Sequence, residues 1–199
     1  VLQEERVNAE CLRADLVSKQ SQELSLNRKN LISCSKGCSN CCYQPVVISV
    51  LEGMRLYEAL QAENLWNLAL RESLQKHADL SFAVPELVAL ATLACPLLKD
   101  SACSVYKSRP FVCQTLVAYG DPHFCHPHRM DADRANLADR EGIVSEYLAF
   151  EAKSLRARRV QMVLLPLSLA VLVGAKLLEG TLALEDLDSH LMQEYKKKS

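Results

Sequence analysis

Glycine and proline are scarce in this 199-residue chain, six of the one and seven of the other. That scarcity argues against a many-turned β-fold and for long helices. Net charge is nearly absent too: the formal value is -1, so no basic field points to a nucleic-acid partner. No signal-peptide pattern is visible, and no internal repeat or low-complexity segment interrupts the chain. Residues 160–175 are the most hydrophobic run. They are broken by Gln161, Pro166 and Ser168 and fall short of the ~20 apolar residues of a membrane span. The run reads as a buried core helix, with Pro166 as a candidate kink. No Ser-His-Asp pattern, phosphate-binding glycine loop or paired-carboxylate signature is present. Catalytic residues are therefore unknown, and the sequence leaves open whether the protein is an enzyme.

What the sequence does have is cysteine, nine of them. Cys34, Cys38, Cys41 and Cys42 fall within one short stretch, spaced by Gly, Ser and Asn, which let a backbone curl tightly. Cys95, Cys103 and Cys113 follow, with Cys125 beyond them in a His-rich run holding His123, His126 and His128. Structural disulfides are the rival reading. They suit short secreted chains without a core, whereas 49% of this chain is hydrophobic. The tight spacing and the adjacent Cys41–Cys42 pair suit metal ligation better, so a reduced, cytoplasmic protein is expected. Thiolate is a soft ligand that favours zinc, Cu(I) and iron–sulfur clusters.

Around these segments the periodicity predicts a mainly α-helical bundle of about six helices, a single domain with two cysteine-rich loops converging on a metal site. An N-terminal helix fills residues 1–32, with Cys11 on its apolar stripe as a small buried hydrophobe. Residues 33–126 form the cysteine-rich core, and helices follow through 127–199. Ser49-x-x-Glu52 is a capping-box pattern that starts a second helix near Val50. That helix continues to about His77, where the imidazole complements the helix dipole, and Tyr57 and Trp66 on it belong to the core. Residues 86–94 read as a short helix behind Pro85. Lys99-Asp100-Ser101 is a turn across which Cys95 and Cys103 face each other. Arg109-Pro110 is a break before a further helix, with Pro at its first position and Cys113 in a first turn that favours thiolate. Residues 130–159 read as helix, weakened at Gly142, and residues 184–195 as a surface helix.

Laid out together, the two segments resemble the YkgJ-type family of CxxCxxCC proteins. The resemblance rests on Cys34, Cys38, Cys41 and Cys42, and then on Cys95-Pro-Leu-Leu, Cys103-Ser-Val-Tyr106 and Arg109-Pro110-Phe-Val-Cys113. The Cys-x-x-Tyr-x-x-Arg-Pro-x-x-Cys run is its most specific part. Two departures stand out. The first gap holds three residues rather than two, and Gln114 stands where an Arg often follows, which removes a surface or anion contact. The resemblance implies chelation of zinc or iron through cysteines. A related cluster in a flagellin lysine methylase is thought to hold an iron–sulfur cluster.

Cys34-x3-Cys38-x2-Cys41 also has the spacing of a radical-SAM triad. The aromatic residue usual before the third cysteine is absent, however, and no repeated βα units supply the usual barrel. Seven or eight cysteines could fill two tetrahedral zinc sites or hold one [4Fe–4S] cluster with thiols to spare. Adjacent Cys41 and Cys42 are not expected to address one small ion. Tyr106 and Arg109 are the candidates for hydrogen bonding and charge compensation around the cofactor. An iron–sulfur cluster with a redox, sensing or catalytic role is favoured. The alternatives are a zinc-stapled helical binding module and a cluster-dependent, methyltransferase-like group-transfer enzyme.

Overall fold

In the computed structural model of the chain, the described residues are 2–28, 32–83, 93–126, 129, 131, 134, 137–138 and 140–196. They are mainly helical, as expected. Helix α1 spans Gln3–Arg28, α2 Val50–Ala62, α3 Leu68–Ala83 and α4 Phe111–Thr115. Helix α5 spans Glu141–Ala157, α6 Leu167–Leu178 and α7 Leu187–Lys196. The strands are short: β1 (Val47–Ser49) pairs antiparallel with β4 (Leu164–Pro166), and β2 (Leu98–Lys99) with β3 (Ala102–Cys103).

Strands β1 and β4 each run straight into a helix, and their pairing, with Val47 opposite Pro166, ties the starts of α2 and α6 together. Ser49 caps α2 by accepting from the Glu52 amide at 3.1 Å, so the Ser-x-x-Glu pattern locates the helix start correctly. The Glu52 carboxylate reaches instead toward Phe111. Helices α2 and α6 then cross with their backbones touching. A Cβ on Gly53 would stand 2.1 Å from the Ala170 carbonyl oxygen, and one on Gly174 would stand 2.5 Å from the Met54 nitrogen. Met54, Leu56 and Leu60 of α2, Val171, Val173 and Leu177 of α6, and Leu74 of α3 fill the main core. A smaller cluster joins Ala9 and Leu16 of α1 to Phe111 of α4 and Tyr147 of α5.

Several local expectations need correction. The helix expected from 50 to 77 is two helices. Asn64 takes a left-handed φ of 55°, and the Leu65 and Trp66 amides both return to the Leu60 carbonyl, which ends α2. Asn67 then accepts from the Leu70 amide at the start of α3. Because α3 runs on to Ala83, His77 lies mid-helix rather than at a helix end. Its Nδ1 meets Ser168 Oγ at 2.9 Å and burial pushes its pKa down, so it packs and does not serve the dipole. Trp66 meets Tyr57 edge to face at 4.9 Å, as core aromatics do.

Pro166 is no kink; it sits just before α6, where its missing N–H leaves no helical bond unmade. Of the helix expected over 130–159, α5 supplies Glu141–Ala157, with Gly142 in its first turn; Leu137 and Ala138 are not helical, and most of residues 130–139 lie outside the described residues. Residues 184–186 form a 3-10 turn that leads into α7. Cys11 is exposed, not buried. The buried face of α1 carries Glu5, Ala9, Leu16 and Gln20, while Val7 is 56% exposed. Two polar residues hold that face because both find partners: Glu5 pairs with Arg158, and Gln20 donates to the Thr115 carbonyl at 3.0 Å. Residues 86–92 of the helix expected at 86–94 lie outside the described residues, and Leu93 and Ala94 are not helical. Among the described residues no helix is long and apolar enough to cross a membrane.

The α2–α6 crossing sets a test. Gly53→Ala is expected to lower stability in urea unfolding by ~1–3 kcal/mol or more, because the new methyl meets backbone. Gly142→Ala, with nothing within 4 Å of the new methyl, should be neutral or stabilise by up to ~1 kcal/mol. Equal midpoints for Gly53→Ala and the unaltered chain would show that the helices do not approach so closely.

Candidate metal centre

Three backbone devices bring the cysteines together. In the first segment the Cys38 amide returns to the Ser35 carbonyl across Gly37, whose φ of 98° suits the third position of a tight turn. A 3-10 turn, Asn40–Tyr43, follows directly and carries Cys41 and Cys42. In the second segment Leu98 pairs with Cys103 in a hairpin whose two loop residues, Asp100 and Ser101, both have positive φ. That is the turn geometry that matches strand twist, and it bears out the turn expected at 99–101. The segments are stitched where the Cys95 amide donates to the Cys42 carbonyl at 2.8 Å. The third device is the Arg109–Pro110 corner. Both residues are extended and α4 begins at Phe111, so Pro110 stands at the N-cap rather than in the first turn.

These devices enclose a cavity of about 40 Å³, against the ~10–15 Å³ that one water requires. Six cysteines line it: Cys38, Cys41, Cys42, Cys95, Cys103 and Cys113. Tyr106 and Arg109 line it as well, with the guanidinium 3.9 Å from the centre of the Tyr106 ring. Cys34 and Cys125 do not. They pack with Ala118 in a small separate cluster, where Cys34 Sγ accepts from the Ala118 amide at 3.1 Å. His123 is exposed and bonded to Arg129, and His126 packs on Tyr43 with ring centres 4.6 Å apart. Neither lines the cavity. His128 lies outside the described residues.

Burial dominates the electrostatics of the thiols. It pushes Cys95 up to about 11 and Cys125 likewise, and raises Cys34 and Cys103. Cys113, though the residue is only half-buried, is held well above the thiol range by burial and by its cysteine neighbours. The helix start does not make Cys113 a thiolate; desolvation outweighs the dipole. Cys41 goes the other way. The Cys42 thiol donates to its sulfur, with Arg109 and Arg140 adding positive charge, and Cys42 is correspondingly raised. Both residues of the adjacent pair line the one cavity.

Sequence reasoning missed Arg140. Burial lowers its pKa while the charges of Cys113 and Cys41 act to raise it. It also missed Asn40, which donates to Cys38 Sγ at 3.7 Å. Neither belongs to a recognisable motif. Gln114 is not simply a lost contact. Its amide donates to the Arg109 carbonyl at 2.6 Å and accepts from Arg13 at 2.7 Å.

Residues 33–137 match the family model CxxCxxCC, described as a "putative zinc- or iron-chelating domain". That match covers more than half of the chain. The protein belongs to the CxxCxxCC family. No curated protein and no solved structure matches the chain.

The cavity suits the guest that this membership implies. Among the described residues no three Cys, His, Asp or Glu side chains stand ready to grip an ion as they are. Apart from the Tyr106 phenol, the donors that ring the cavity are nevertheless all sulfur, which is the chemistry of a thiophilic metal. In addition the buried Nε of Arg109 has no protein acceptor, a donor left over for a negatively charged guest. With most thiols raised, the metal-free site is largely protonated at neutral pH, and metal must displace those protons. Zinc titration in buffers of different ionisation enthalpy is therefore expected to release two or more protons per ion, with affinity rising from pH 6 to pH 8. Binding without proton release would contradict the buried-thiol picture.

Proposed function

We propose that this CxxCxxCC protein holds an iron–sulfur cluster and works in redox chemistry or sensing. The ligands in this reading are Cys38, Cys41, Cys42, Cys95, Cys103 and Cys113, with Cys34 and Cys125 as the outer pair. The observation that carries it is the vicinal pair. Cys41 and Cys42 line one cavity, and two adjacent thiolates crowd a single ion but can reach different irons of a cluster. Arg109 and Arg140 add positive charge beside these cysteines, which offsets the negative charge of a thiolate-bound cluster. Arg109, stacked on Tyr106, has a buried Nε without a protein acceptor and would be available to donate to such a cluster. Bound there, such a cluster supplies reversible one-electron transfer and a state that oxidants can destroy. The remaining work is the chain's own: Leu97, Val46 and Leu167 wall the cavity against water, and the arginines balance charge. Ligation needs reduced sulfur, which suits a reducing compartment such as the cytoplasm.

Anaerobic purification followed by metal analysis and an absorption spectrum tests the reading. Iron, acid-labile sulfide and a broad band near ~400 nm are expected. A colourless protein with one or two zinc ions would replace the cluster by a zinc-stapled helical binding module. Cys103→Ser and Cys34→Ser should lower metal content and stability, and Cys11→Ser, exposed and not lining the cavity, should leave both unchanged. Equal loading of all three variants would sink the ligand assignment.

A further inference from the structure

The Arg109–Pro110 corner carries two parts of the cavity wall, Arg109 itself and the short helix that bears Cys113, and the corner cannot hold itself. Pro110 stands at the N-cap of α4 and has no side-chain oxygen with which to cap that helix. The backbone groups around the break must find partners elsewhere. They find them on α2. Glu52 Oε1 accepts from the Phe111 amide at 2.7 Å, a helix cap supplied by another helix. Arg55 donates from Nη1 to the Ser108 carbonyl at 3.0 Å and from Nη2 to the Arg109 carbonyl at 2.8 Å. The fold accepts an unfavourable environment for this arrangement. Glu52 is 4% exposed and Glu151 fully buried, and each carboxyl is destabilised as an anion, by burial first and, for Glu151, by the Glu52 charge next. The Ser49 and Tyr147 hydroxyls beside Glu151 offset only part of that cost. A core with no use for Glu52 would be better filled by an apolar side chain.

We propose that Glu52 and Arg55 are positioning residues of the metal centre, fixing the wall formed by Arg109 and Cys113 from outside the cavity. This rests on the reading of the cavity as a metal site and extends it to residues outside the cavity. The assignment separates from a general stabilising role by which substitutions rescue. Gln at position 52 keeps an oxygen to accept from the Phe111 amide, and Ala does not. Lys at position 55 keeps the charge, but a single ammonium lacks the planar fork that spans two carbonyls.

The test is zinc affinity of the full chain, by competition with a chromogenic chelator at a temperature where every variant is folded by circular dichroism. Glu52→Ala and Arg55→Lys are expected to bind zinc about 10–100-fold more weakly than the unaltered chain, and Glu52→Gln to match it. Leu60→Ala, a fully buried change on the same helix, should lower the melting temperature while leaving zinc affinity unchanged. If Glu52→Ala fails to fold, the contrast between Glu52→Gln and Arg55→Lys decides. Unchanged affinity in Arg55→Lys, or losses in Leu60→Ala that equal those at positions 52 and 55, would overturn the assignment. An unaltered chain that binds neither zinc nor iron would instead overturn the metal reading beneath it.

Discussion

Helix α2 touches α6 backbone to backbone at Gly53 and Gly174, a contact that any larger residue at either position would obstruct. That contact fixes α2 on one side against the main core. On its other side Glu52, the residue before Gly53, and Arg55 hold the backbone of the Arg109–Pro110 corner. One helix thus transmits the rigidity of the core to the wall of the cysteine cavity. The cysteine segments have little regular structure to stiffen them. Their order comes from a hairpin of two-residue strands, two tight turns and this bracing from α2.

The site is poised by opposing electrostatic effects. Burial holds most thiols protonated, while Arg109 and Arg140 bring positive charge toward Cys41. Without a guest, buried thiolates would bear a large desolvation penalty. With a cationic guest their charge is neutralised, and binding then contributes directly to the stability of the loops that supply the ligands. The outer pair, Cys34 and Cys125, sits apart on Ala118 and still lies within the field of Cys38 and Cys41.

Much of the site was legible because its signals are local. The Ser49 cap, the turn at Asp100–Ser101 and the break at Arg109–Pro110 each follow from the conformational preferences of a few adjacent residues. Contacts between elements were not legible. Cys11 lies on the more apolar-looking stripe of α1, yet the helix buries Glu5 and Gln20 because Arg158 and the Thr115 carbonyl await them. Glu52 completes a capping-box pattern in sequence, but its carboxylate serves a helix that starts 59 residues later. The division of the cysteines into six around a cavity and two outside it likewise depends on how loops fold back, which spacing does not encode.

X-ray absorption at the metal edge of the anaerobically isolated protein addresses the central claim most directly. A first coordination shell of sulfur alone is expected, as a thiolate-ringed cavity dictates, with a metal–metal distance behind it if the guest is a cluster. A first shell containing oxygen or nitrogen would contradict it, and would move the metal away from the six cysteines.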